Sequence, residues 1–138
     1  MPEESTTPDL VELGRRVQQA ANRRDFDLMM SVYAPDAVVD AEGLGTFEGR
    51  AAIRVFFEDM LGSFDQYVLE QDEVVDLGNG VGFSVFCQSG HPGGSVGRVQ
   101  QRYASVTERT EGLIVRVTFY SDIDEGRAAA ERLAEERG

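Results

Sequence analysis

Gly112-Leu113-Ile114-Val115-Arg116-Val117-Thr118-Phe119-Tyr120-Ser121-Asp122 reads as the last strand of a sheet, and the rest of the chain is read outward from it. β-Branched and aromatic residues suit a pleated, half-buried surface. Successive side chains alternate between faces, so Val117, Phe119 and Ser121 share one. Thr110-Glu111-Gly112 forms the turn before it, and Val96 to Glu108 a long strand before the turn. On that strand Gln101, Tyr103, Ser105 and Thr107 share a face. Further back, Gly78-Asn79-Gly80 is a tight turn of residues that tolerate positive φ. It joins a strand marked by Tyr67, Leu69, Val75 and Leu77 to one running from Val81 to Gln88. The second half of the chain is therefore four antiparallel strands.

The first half is helical. Thr7-Pro8-Asp9 is a helix start, with a capping hydroxyl, a proline suited to the first turn and an acid at the positive helix end. Leu10, Leu13, Val17, Ala20 and Ala21 follow at helical spacing, with the arginines mostly off that stripe. Asp25 restarts a shorter helix with Leu28, Met29, Val32 and Tyr33 on its apolar side, and Pro35 ends it. Ala37 to Glu42 reads as a short strand, Gly43 to Gly49 as a glycine-rich connection, and Arg50 to Leu61 as a third helix. Adjacent helical residues lie ~100° apart, so Phe56 and Phe57 cannot both face the core squarely; Phe57 is expected to line the cavity and Phe56 to pack elsewhere. The charged, alanine-rich tail from Asp124 to Arg137 is expected to be helical and prone to fraying.

A chain of 138 residues fits one domain spanning 1–138, with an ordered core of about 8–125. The expected class is α+β: three N-terminal helices packed on a curved, mainly antiparallel sheet in a cone-shaped sandwich, with a short C-terminal helix. The formal charge of -12, from 25 acidic and 13 basic residues, repels phosphate backbones and anionic lipid, so neither nucleic acid nor a membrane is an expected partner. Cys87 is the only cysteine, which excludes an intrachain disulfide and a thiolate cluster. No apolar run approaches the ~20 residues of a membrane helix, and the acidic start is the opposite of a signal peptide; a cytoplasmic location is the expectation.

The chain resembles the SnoaL-like branch of the nuclear transport factor two-like superfamily. The likeness rests on Asn22-Arg23-Arg24-Asp25-Phe26-Asp27, on Tyr33-Ala34-Pro35-Asp36-Ala37-Val38-Val39-Asp40, on Phe47-Glu48-Gly49-Arg50-Ala51-Ala52-Ile53-Arg54-Val55-Phe56-Phe57, and on the strand quoted above. It implies a cone with a pocket, and relatives that include ketosteroid isomerases, polyketide cyclases, limonene epoxide hydrolases and scytalone dehydratases. The implied catalytic positions are not kept. The tyrosine of the isomerases' first helix falls on Val17, their base on Ala41, their oxyanion acid on Ala104 or Ser105, and a further pocket tyrosine on Phe57. The last-strand aspartate of cyclases and epoxide hydrolases falls on Phe119. The epoxide hydrolases' Arg-x-Asp pair falls within the uncharged run Phe83-Ser84-Val85-Phe86-Cys87-Gln88. The dehydratases' histidines have one counterpart at most, His91, beside Pro92-Gly93-Gly94 in what reads as a loop tip.

The residues expected to line the pocket are Val17, Phe57, Gln101, Ser105, Val117, Phe119 and Ser121. That lining suits a small apolar or aromatic ligand with one or two polar groups, and requires no cofactor or metal. One reading is a small-molecule-binding domain without the family's catalytic set. The other is an isomerase, dehydratase or cyclase with Asp40 as general base and Tyr103 as hydrogen-bond donor; it requires a bulge or register shift that turns Asp40 inward. Either is compatible with a homodimer through the outer sheet face around Tyr120. Cys87 reads as a buried structural thiol, and Glu70, Asp72, Glu73 and Asp76 as a solvated acidic edge.

Overall fold

A computed structural model describes residues 10–94 and 96–138. The helix start expected at Thr7-Pro8-Asp9 lies outside the described residues. Helix α1 (Leu10–Arg23) buries Leu10, Leu13, Ala20 and Ala21, the stripe that the spacing marks. Arg24 stops it at φ 56°, and the Asp25 amide then donates to the Ala20 carbonyl (2.9 Å), a left-handed cap that turns the chain sharply. Asp25 caps α2 (Phe26–Ser31) by accepting from the Leu28 amide (3.0 Å).

Two expectations for the next stretch are corrected. Strand β1 (Tyr33–Ala41) begins at Tyr33, so Tyr33 and Pro35 belong to a strand rather than to the end of a helix. The register against β6 shifts between Tyr33 and Val38, and Pro35, which has no amide to give, falls inside that irregularity. The glycine-rich connection contains a four-residue strand, β2 (Gly45–Glu48), paired antiparallel with β1. Helix α3 (Arg50–Gly62) follows as expected. Arg50 donates twice to the Tyr33 carbonyl (2.9 and 2.5 Å) and ties the start of α3 to the entry of β1.

Strands β3 (Phe64–Gly78), β4 (Val81–Pro92), β5 (Val99–Thr110) and β6 (Leu113–Tyr120) form the antiparallel meander. The sheet order is β2-β1-β6-β5-β4-β3, with β1 parallel to β6. The two predicted turns carry positive φ at Gly78, Asn79 and Gly80, and at Glu111 and Gly112. β3 slips register against β4 at three places, and such bulges bend a strand. As the outermost strand β3 has one edge without a strand partner, and α1 covers part of it. Asn22 both donates to and accepts from the Leu69 backbone (3.0 and 2.7 Å), and Gln18 accepts from the Gln71 amide (2.9 Å).

The sheet is covered on both faces. One face carries Val39, Ala41, Phe86 and Val117 under α1, α2 and α3. The other carries Val81, Phe83, Val85, Ala104 and Val106 under α4 (Ile123–Arg137), which packs through Ala130 and Ala134. The tail is thus a docked helix rather than a frayed end. Gly126 makes the close approach possible, because a Cβ there would sit 2.9 Å from that of Ala104. Tyr120 packs beside this cluster, so α4 covers the part of the outer face that the sequence offers for self-pairing. The acidic residues of β3 are also more engaged than a solvated edge: Asp72, Glu73 and Asp76 pair with Arg102, Arg127 and Arg109.

Candidate functional site

Between the helices and the sheet lie two adjoining chambers. The inner one has a volume of about 60 Å³ and the outer one about 110 Å³. Alternation along three neighbouring strands builds both. On β5, Thr107 and Ser105 face the inner chamber, Tyr103 stands between the two, and Gln101 faces the outer one. On β6, Val117 is inner and Phe119 lies between; Ser121, just past the strand, is outer. On β4, Ser84 and Phe86 are inner and Gln88 outer. The registers Ser84↔Ser105, Phe86↔Tyr103, Gln88↔Gln101, Ser105↔Phe119 and Thr107↔Val117 align these rows. Helix α1 contributes Val17 and Gly14, and α3 contributes Phe57 and Met60.

Aromatic rings dominate the inner walls. Phe119 is edge-on to Tyr103 (5.5 Å, 78°) and to Phe57 (6.4 Å, 90°), and Tyr103 stacks on Phe86 (5.8 Å, 27°). Phe57 lines the inner chamber, while Phe56, buried in the same core cluster, stacks on Phe47 (4.5 Å) and borders the outer one. Tyr33 and Tyr67 also line the inner chamber, and burial raises the pKa of both phenols. Burial raises that of Tyr103 as well, and the neighbouring Tyr67 and Tyr33 add to the effect. All three therefore stay protonated donors at neutral pH.

Polar groups sit at the two ends. In the inner chamber Ser84, Ser105 and Thr107 form a patch of buried hydroxyls. The Ser105 and Thr107 oxygens are 3.4 Å apart, and the Gln71 side-chain amide approaches Ser84 at 3.5 Å. Gly14 leaves room for that amide, since a Cβ there would lie 2.2 Å from its nitrogen. In the outer chamber the Tyr67 hydroxyl donates to Gln88 (2.8 Å), and the Gln88 amide donates to Gln101 (2.8 Å). Ser121 donates both its amide (2.9 Å) and its hydroxyl (2.7 Å) to Oε1 of Glu42.

Tyr103 and Asp40 do not meet. Val39 and Ala41 are the buried neighbours on β1, so strand alternation sends Asp40 to the opposite face. There Arg116 binds its carboxylate, and Thr46 donates to it at 2.8 Å. The β1 register shift lies before Val38 and leaves residues 38–41 in step with β6. Asp40 accordingly lines neither chamber. Of the seven expected lining residues, Val17, Phe57, Ser105, Val117 and Phe119 border the inner chamber, Phe119 bordering both, while Gln101 and Ser121 border only the outer one.

Sequence reasoning missed Tyr33, Met60, Tyr67, Ser84 and Phe86 as lining residues, and Glu42 at the outer chamber. For Ser84, Phe86 and Gln88 the signal was present in alternation along β4. Cys87 is buried with a free thiol. His91 lies in β4, opposite Asp65, rather than at a loop tip, with Nδ1 3.0 Å from the Gly97 carbonyl oxygen. Among the described residues no group of three histidine, cysteine or carboxylate side chains could hold a metal ion.

Solved structures of the same shape place the architecture. A protein with a ketosteroid isomerase-like fold from Catenulispora acidiphila, in complex with trimethylamine, is similar over 91% of this chain and 94% of its own, at TM-score 0.74 and 15% identity. An epoxide hydrolase of the limonene epoxide hydrolase type from Mycobacterium tuberculosis is similar over 93% of both chains, at TM-score 0.70 and 17% identity. A provisionally named polyketide cyclase from Sinorhizobium meliloti is similar over 81% of this chain and 94% of its own, at TM-score 0.64 and 27% identity. At such identities the likeness is one of fold. No curated protein matches the sequence. The sequence profile of the SnoaL-like domain matches residues 15–117, and the chain belongs to the SnoaL-like domain family.

Proposed function

We propose that this domain binds a small apolar or aromatic molecule in the paired chambers and does so without the acids its catalytic relatives use. The observation that carries this reading is the inner chamber itself: six aromatic side chains line it, no charged side chain does, and its polar groups are hydroxyls. An apolar guest taken up among these rings is removed from water, and that burial favours binding. The two chambers together are close in size to the ~150 Å³ apolar cavities that hold benzene. The ring of the guest would lie among Phe57, Phe86, Tyr103 and Phe119. A carbonyl or hydroxyl on it would reach Ser84, Ser105 or Thr107, or the Tyr103 hydroxyl, which has no hydrogen-bond partner among the described residues. A guest as small as the trimethylamine held by the Catenulispora protein is on the same scale.

The enzyme reading loses its base, because Asp40 is engaged by Arg116 and Thr46 on the other face of the sheet. Self-association is not part of the proposal: α4 covers the outer face over β4 and β5, around Tyr120.

Isothermal titration of the protein with phenol, indole and cyclohexanone tests the reading, with Val117→Phe as the filled-chamber control. Saturable binding to the native protein that weakens at least ~10-fold in the variant supports it, since that ratio is 1.4 kcal/mol. Absence of binding by all three at millimolar concentration, with the fold intact, would overturn it.

A further inference from the structure

The outer chamber carries a single full charge. Among the side chains lining the two chambers, Glu42 is the only carboxylate, and no arginine lines either one. Asp40, two residues earlier on the other face, is neutralised by Arg116; no arginine is paired with Glu42. Both bonds from Ser121 go to one oxygen, which fixes the carboxylate at the chamber and leaves Oε2 without a donor among the described residues. Those bonds hold the Glu42 pKa below the usual carboxylate range, through the Ser121 amide first and its hydroxyl second. A group held ionised in this way is a poor proton acceptor in catalysis and a good counter-ion.

The same chamber is walled by the rings of Phe56, Tyr103 and Phe119. Ring faces carry negative potential and attract a cation, as a carboxylate does. The chain as a whole, at -12, raises the local concentration of cations and repels anions. Resting on the small-molecule reading above, we propose that the ligand is a protonated amine, with its ammonium group at Glu42 in the outer chamber and its apolar part against Phe119 and Tyr103. Charge and walls together select against carboxylate and phosphate ligands.

Three probes of similar shape separate the possibilities: benzylamine as the cation, benzyl alcohol as the neutral form and benzoate as the anion. Each is titrated into the native protein and into Glu42→Gln at low ionic strength and neutral pH. Glu42 is exposed, and glutamine keeps an acceptor for Ser121, so the variant is expected to fold. Benzylamine should bind ~10-fold more tightly than benzyl alcohol, with benzoate weakest, a ratio in keeping with one ion pair assisted by aromatic faces. In Glu42→Gln the benzylamine advantage should vanish while benzyl alcohol is unchanged. If benzyl alcohol binds and benzylamine binds no better, or if the substitution leaves benzylamine unaffected, the amine assignment falls and the small-molecule reading stands. If none of the three binds at millimolar concentration, both fall.

Discussion

The ring of Phe119 stands edge-on to that of Tyr103, with centroids 5.5 Å apart at 78°, and the pair forms the wall shared by the inner and outer chambers. Edge-to-face pairs of this kind are favourable beyond the area they bury. In catalytic relatives the Phe119 position is the one implied to hold an acid. Here the same position closes a chamber with a hydrocarbon ring. Truncating it in Phe119→Ala should merge the two chambers and admit larger guests, such as naphthalene-sized molecules. The stability cost should fall at or below the lower end of the ~3–5 kcal/mol seen for buried phenylalanines, because this ring is only partly buried. Urea unfolding and a ligand-size series would read both effects.

Restoring the acid in Phe119→Asp should not restore a relative's chemistry. The carboxylate would face Phe57 and Tyr103 without a cationic partner, and a carboxylate partly withdrawn from water loses stability or takes up a proton. A drop in thermal midpoint, smaller at acid pH where the group is neutral, is the expected result. An unchanged midpoint would mean that the position is not enclosed.

Asp40→Asn should leave ligand affinity unchanged and alter stability by less than ~1 kcal/mol, the range for a partly exposed ion pair. Calorimetric titration of the variant checks the first point and urea unfolding the second. A large loss of affinity would return Asp40 to the site.

The docking of α4 can be tested by sign. In a free helical tail, replacing glycine by alanine gains ~1 kcal/mol of helix propensity. At Gly126 the added methyl would press on Ala104 and Tyr120, and overpacking of that kind costs ~1–3 kcal/mol. Gly126→Val, with more bulk and less propensity gain, should lower the thermal midpoint clearly. A neutral or raised midpoint would show that α4 does not sit where described.

The phenols set an alkaline limit on stability. Burial raises the pKa of Tyr33, Tyr67 and Tyr103 in the folded state, so the unfolded chain gives up these protons first as pH rises. The folded state then binds more protons than the unfolded one, and stability falls as pH passes ~10, the ordinary phenol value. Below that pH their contribution is fully present. Urea midpoints measured from pH 8 to 11 should decline in that window, and the decline should be smaller in Tyr103→Phe.

Much of this was legible in local pattern. The last strand, both glycine turns, the inward Phe57 and the shared face of Tyr103, Ser105 and Thr107 follow from period-two and period-3.6 spacing. Tyr33 was not legible, because its spacing from Met29 continues a helical stripe. Only the nonlocal pairing of β1 with β6 makes it a strand residue. β2 was hidden because it is four residues long and set between the glycines at 43, 45 and 49, which read as a connection. Alternation assigns a face to Gln101 and Ser121 but not a depth along a curved sheet, and depth puts both in the outer chamber. The α4 contact hides in alanines and glycine within a charged helix, where close approach rather than large apolar side chains makes the packing.

Whether the aromatic-walled chambers take up a small guest can be read from a ¹H–¹⁵N chemical-shift titration with phenol. Saturable shifts should centre on Val17, Phe57, Tyr103, Ser105 and Phe119, with the outer-face residues around Asp40 and Arg116 unmoved. Shifts that never saturate, or that centre on the outer face, would contradict it.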